Sequence, residues 1–183
     1  MASADAGPTP TAASSASGVL ATCAAHGLTA AEFGRLRERS VAAKGAAYCP
    51  YSGFRVGAAV LWASTGTGPG ASDEGGAAVT TGANVENASY PVGTCAERVA
   101  VARAVVEGGR AFRAVAVATD VSPPASPCGM CRQFIREFCK PEVPIIMFDK
   151  NLDYLVLTLE QLLPMSFGPE DLPHPSGGTR ASV

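Results

Sequence analysis

The chain has 183 residues, 47% of them apolar, with 14 Lys and Arg set against 16 Asp and Glu. That length and composition fit one globular domain with a real core. The charge balance leaves no positive excess for a phosphate backbone, and no apolar run reaches the roughly 20 residues of a membrane-spanning helix, so a polynucleotide partner and a membrane role are both disfavoured.

No Lys or Arg precedes Arg35, and the one concentrated apolar patch before it, Val19 to Ala25, is short and interrupted by Thr22. Neither a secretory signal nor an Arg-rich transit peptide fits, and a soluble, cytoplasmic protein with reduced thiols is the expectation. Residues 1–27 read as a disordered N-terminal tail, since Met1 to Ser17 is mostly Ala, Ser, Thr and Pro and can bury little. From Thr29 to Ala47 the pattern becomes helical, with Thr29 as N-cap, Glu32 at the capping-box position and Leu28, Phe33, Leu36 and Val41 as apolar positions. Cys23 and Cys49 flank this helix without metal-type spacing and read as small buried or partly exposed thiols, and His26 and His174 read as surface histidines.

Tyr48 to Phe54 is a turn-rich connector into an apolar strand, Val56 to Trp62. Thr65 to Gly76 is Gly-rich and reads as a long hairpin loop or an insert, with no Gly-Lys-Ser or Gly-Lys-Thr to make it a phosphate loop. The next strand, Ala77 to Ala83, delivers Asn84-Val85-Glu86-Asn87-Ala88-Ser89-Tyr90. So many hydrogen-bonding side chains in so short a connection suit either a capped turn or a polyol-binding segment.

Cys95 to Val106 reads as a helix with an apolar stripe of Val99, Ala102, Val105 and Val106, ended by Gly108-Gly109. Phe112 to Thr119 is a central strand, and the stiff loop Pro123 to Pro127 leads to a second helix that starts at Cys128, with Cys131 one turn on and Phe134, Ile135 and Phe138 on its buried side. Cys139 reads as core. Val143 to Phe148 and Tyr154 to Thr158 are further strands, Leu159 to Leu163 a short helix, and residues 173–183 a mobile tail. Strands interleaved with covering helices imply a three-layer α/β sandwich around a mixed sheet.

Cys95, Cys128 and Cys131 offer three soft ligands at two helix starts, where free amides favour thiolates. Three thiolates are one ligand short of a closed four-coordinate zinc site, so the fourth position could hold a water, with Glu97 beside it to move protons. Glu97 could instead close the shell as a structural Cys3Glu site, although its position two residues along the helix points it elsewhere around the axis. Zinc with three thiolates carries negative formal charge, which weakens its pull on water, and Arg98, one turn after Cys95, could donate to a ligand sulfur and offset it. The plain alternative for Arg98 is a solvated surface position.

The motifs Asn84-x-Glu86, Cys95-Ala96-Glu97, Pro127-Cys128-x-x-Cys131 and Ser166-Phe167-Gly168-Pro169 resemble those of the zinc-dependent cytidine deaminases that act on free nucleosides. The similarity runs from about Phe33 to Leu172, and it implies a single deaminase domain over residues 28–172 with a five-stranded sheet. It also implies that Cys95, Cys128 and Cys131 bind one zinc ion per subunit, that Glu97 is the proton carrier, and that Asn84 and Glu86 hold the ribose 3′-hydroxyl. The backbone amide of Ala96 would bind the base carbonyl and Phe54 would pack on the pyrimidine ring. Ala88, Tyr90 and Phe167 would reach into a neighbour's site within a homotetramer. The implied reaction is hydrolytic deamination of cytidine and deoxycytidine in pyrimidine salvage. A deaminase of a cytosine-bearing aminonucleoside antibiotic is the nearest alternative, and the Asn84-x-Glu86 pair argues against it.

Overall fold

A computed structural model describes residues 8–63 and 77–173. The Gly-rich stretch and His174 with the rest of the C-terminal tail lie outside the described residues. Five strands form one sheet: β1 (Val56–Ala63), β2 (Ala77–Ala83), β3 (Phe112–Thr119), β4 (Pro144–Phe148) and β5 (Tyr154–Thr158), in the order β2-β1-β3-β4-β5. β1 runs antiparallel to β2 and β3, β3 parallel to β4, and β4 antiparallel to β5. The mixed sheet is therefore the one the alternating pattern implies.

Helices cover both faces. On one side lie α1 (Ala16–His26) and α2 (Ala30–Ala43), and on the other α3 (Ala96–Val106), α4 (Gly129–Arg136) and α5 (Leu159–Leu162). The strands are buried on both faces, so β1 and β3 read as near-continuous apolar runs: Ala59 and Leu61 pack toward α2, and Ala58 and Val60 toward α3. α2 starts where its sequence says it should. The Thr29 hydroxyl accepts from Glu32 N at 3.1 Å, while the Glu32 carboxylate accepts from Thr29 N at 2.8 Å.

Two expectations are corrected. The tail over residues 1–27 is not disordered throughout: Ser15 caps α1, Gly27 ends it at φ 62°, and Cys23 is buried in the core beside α2. Thr11 exchanges backbone hydrogen bonds of 2.7 and 2.9 Å with Tyr154, and Thr22 Oγ1 lies 3.0 Å from the Tyr154 hydroxyl, so this segment is tied to the edge of β5. The second correction concerns the buried face of α3, which is Ala96, Ala100, Val101 and Ala104, with Ala102 and Val106 exposed. Gly82 explains it. A Cβ there would stand 2.7 Å from the Ala96 carbonyl oxygen and closer still to Ala100 N, so the helix rests directly on the β2 backbone and only small side chains fit between them. That close seat fixes the position of the α3 N-terminus, where the chemistry lies.

Candidate metal centre and active site

Cys95 is the N-cap of α3 and Cys128 the N-cap of α4, and neither side chain is spent on a capping hydrogen bond. Cys131 is in the first turn of α4 and fully buried. The three Sγ atoms lie within 4.8 Å of one another, with Cys95 and Cys128 3.9 Å apart. Among the described residues this is the cluster of potential ligands that could hold a metal ion, and the Glu97 carboxylate is not part of it. The geometry therefore fits an open three-sulfur centre and not the closed Cys3Glu alternative.

The electrostatics follow from this crowding. Cys95 is held down to about 5, first by hydrogen bonding from Cys131 and then by the Arg98 guanidinium, against the opposing effect of burial. Cys131 is pushed up, because its thiol keeps its proton and donates a hydrogen bond to the Cys95 thiolate, and because it is buried. One thiolate is thus ready for a cation, and a divalent ion would displace the remaining protons. A soft donor set of three sulfurs on two converging helix N-termini suits zinc.

Glu97, in the first turn of α3, is 4% exposed. Burial raises its pKa, and the Cys95 charge beside it adds to the rise. A raised pKa makes this carboxylate a stronger proton acceptor than an ordinary exposed one, which suits a group that takes and returns a proton. Arg98 interacts with the Cys95 and Cys131 sulfurs and donates from Nη2 to the Gly93 carbonyl at 3.1 Å, while its buried Nε has no hydrogen-bond partner among the described residues. The first intrahelical bond of α3 is Val99 N to Cys95 O, which leaves the Ala96 amide at the helix mouth among the N–H groups without an acceptor in the preceding turn.

A second group of residues gathers beside this centre. Val85 pairs with Tyr48 on one side and Thr94 on the other, which places Asn84 and Glu86 against the connector before β1. Asn84 Nδ2 donates to the Phe54 carbonyl at 2.8 Å and its Oδ1 accepts from Val56 N at 2.9 Å. The Glu86 carboxylate accepts from Tyr51 N at 2.9 Å, Ser52 N at 3.2 Å and the Ser52 hydroxyl, which together lower its pKa. A cleft of about 280 Å³ opens here, lined by Tyr51, Ser52, Glu86, Asn87, Tyr90 and Gly93. Phe54, Ala88 and Tyr90 are exposed around this loop, and Tyr90 stacks obliquely on Tyr51 with ring centres 5.8 Å apart.

Phe167 is exposed on a segment pinned to α4. Gln133 Nε2 donates to its carbonyl at 2.9 Å, and Arg136, itself buried, donates to the Ser166 hydroxyl at 2.9 Å and pairs with Glu170. Arg132 similarly donates to the carbonyls of Pro127 and Leu162. Sequence reasoning missed these braces and the role of Ser52. The signal available was the run Arg132-Gln133 directly after Cys131, too polar for a helix with nothing to hold.

The match to known proteins bears on the same residues. Residues 34–147 match the family model for the cytidine and deoxycytidylate deaminase zinc-binding region. The chain belongs to that family. A cytidine deaminase of Sporosarcina psychrophila is 42% identical over 138 residues, 75% of this chain and 93% of the relative. The crystal structure of cytidine deaminase from Burkholderia pseudomallei superposes with a TM-score of 0.63 at 38% identity, covering 73% of this chain and 98% of that one. That of Mycobacterium tuberculosis gives 0.58 at 34% identity, over 75% and 98%. As a deaminase of this family the chain has a zinc-binding region, and Cys95, Cys128 and Cys131 all fall within the matched span.

Proposed function

We propose that this chain catalyses the zinc-dependent hydrolytic deamination of cytidine and deoxycytidine to uridine and deoxyuridine, with release of ammonia. The observation that carries the reading is the three-sulfur cluster with the buried Glu97 carboxyl in the first turn of the helix that Cys95 caps. Zinc held by Cys95, Cys128 and Cys131 would supply Lewis-acid activation of water at neutral pH. Glu97 takes the proton from the attacking water, delivers it to N3 of the base, and then helps the 4-amino group leave as ammonia. The Ala96 amide donates to the base carbonyl, Phe54 packs on the ring, and Asn84 and Glu86 hold the ribose 3′-hydroxyl. Arg98 draws charge from the sulfurs, which raises the acidity available at the metal.

None of these contacts uses a 2′-hydroxyl, so deoxycytidine is accepted. A site built to hydrogen-bond that hydroxyl would reject its absence strongly, so a deoxycytidine rate below about one-thousandth of the cytidine rate would overturn this part. On this reading residues 28–172 carry the deaminase motifs, with α1 packed into the same domain, and the enzyme works in pyrimidine salvage in the cytoplasm. No helix among the described residues is long and apolar enough to cross a membrane. The exposed side chains of Tyr90 and Phe167 support a homotetramer in which Ala88, Tyr90 and Phe167 of one subunit complete a neighbour's site. Light scattering alongside a dilution series of activity tests that, and a fully active monomer would contradict it.

The relatives reported above give no support to an aminonucleoside-antibiotic deaminase. The direct test is ultraviolet loss of cytidine by the purified protein alongside its zinc content. The expected result is one zinc per chain and steady conversion to uridine.

A further inference from the structure

Phe54 is held through both of its peptide groups, and both holds lead back to the Asn84-x-Glu86 motif. Its carbonyl accepts from Asn84 Nδ2 at 2.8 Å. Its N–H donates to the Ser52 hydroxyl oxygen at 3.0 Å, and the same hydroxyl donates its own proton to the Glu86 carboxylate. Ser52 is thus a two-way link, accepting from the ring-bearing residue and donating to a carboxylate. Glu86 also fixes the turn from which Ser52 projects, since it accepts from the Tyr51 and Ser52 amides. Gly53 turns the backbone at φ 65°, a conformation that suits glycine and brings the Phe54 amide back onto the Ser52 hydroxyl.

We propose that Ser52 is a positioning residue that couples the sugar-holding carboxylate of Glu86 to the base-stacking residue Phe54, so that the link holds the aromatic platform in place before substrate arrives. The proposal rests on the assignment of Glu86 to the sugar and Phe54 to the base. A hydrogen bond to a charged acceptor sets the direction of the hydroxyl, and that direction decides whether its lone pair meets the Phe54 amide. The ring-bearing residue is thus held by the same carboxylate that faces the cleft, with no ligand bound.

The experiment uses the full-length, zinc-loaded protein and the variants Ser52→Ala, Ser52→Thr, Glu86→Gln and the double variant Ser52→Ala/Glu86→Gln. Amide hydrogen exchange of Phe54, read by nuclear magnetic resonance without substrate, should accelerate about 5-fold in Ser52→Ala and in Glu86→Gln, with no further acceleration in the double variant. Ser52→Thr keeps the hydroxyl and should restore the slow exchange. The KM for cytidine should rise about 10-fold in Ser52→Ala at nearly unchanged kcat, and return in Ser52→Thr. Unchanged Phe54 exchange in Ser52→Ala, additive acceleration in the double variant, or an unchanged KM would each overturn the proposal. Because exchange is read without turnover, absence of cytidine conversion by the unaltered protein would defeat the cytidine assignment and leave the exchange result to decide on the link itself.

Discussion

At the metal end of the site, Cys95, Cys128, Cys131 and Glu97 all belong to the first turns or caps of two helices, and the first of these, α3, is seated on the sheet by small side chains in close contact. At the proposed sugar end, Asn84, Glu86 and Phe54 lie on partly exposed connections and are held by side-chain hydrogen bonds to backbone. The difference teaches a division of labour. Proton transfer and metal binding need atoms fixed in a low-dielectric setting, which helix ends and burial provide, while substrate entry needs a wall that faces solvent and can tighten afterwards. Damage at the metal end should therefore appear in kcat and zinc content, and damage at the sugar end in KM.

The largest effect sharpens that contrast at once. Cys131→Ser should lose zinc and drop cytidine turnover to background, because a buried ligand to a three-sulfur centre cannot be replaced by water alone; metal analysis and the ultraviolet assay read both. Glu86→Gln comes next. It weakens the acceptor that binds the Ser52 hydroxyl and is proposed to hold the sugar, so KM should rise roughly 10- to 100-fold with zinc retained and kcat little changed. A fall in kcat equal to that in kcat/KM would break the proposed division.

Gly82→Ala probes the seat of α3 without touching the chemistry. The added methyl forces the helix off the β2 backbone, with an expected loss of about 1–3 kcal/mol in denaturant unfolding and a weaker hold on zinc. The smallest effect should come from Thr29→Ala, which removes the α2 capping box on the opposite face of the sheet. About 1 kcal/mol of stability should go, with KM, kcat and zinc content unchanged. A change in KM there would mean that the two faces are coupled in a way the fold does not indicate.

Legibility in the sequence follows the same line. The Thr29-Glu32 cap, the apolar strand runs and the two cysteine-bearing helix starts were all readable, because each is a local pattern with one physical meaning. The face of α3 was not, because valine outranks alanine on any hydropathy reading while the structure selects alanine for closeness to Gly82. α1 was hidden by its Ala, Ser and Thr content, which resembles a tail until Cys23 and Thr22 are seen against β5 and its neighbours. Ser52 was hidden too, since its two partners come from sequence positions 2 and 34 residues away and only the fold brings them together.

The most direct test of the central claim sets zinc content and cytidine turnover of Glu97→Gln beside those of the unaltered chain. If Glu97 carries protons beside an open three-thiolate zinc, the variant keeps one zinc per chain and loses about 1000-fold or more in kcat. Loss of zinc along with activity would make Glu97 a ligand of a closed site, and retained turnover would remove it from the chemistry altogether.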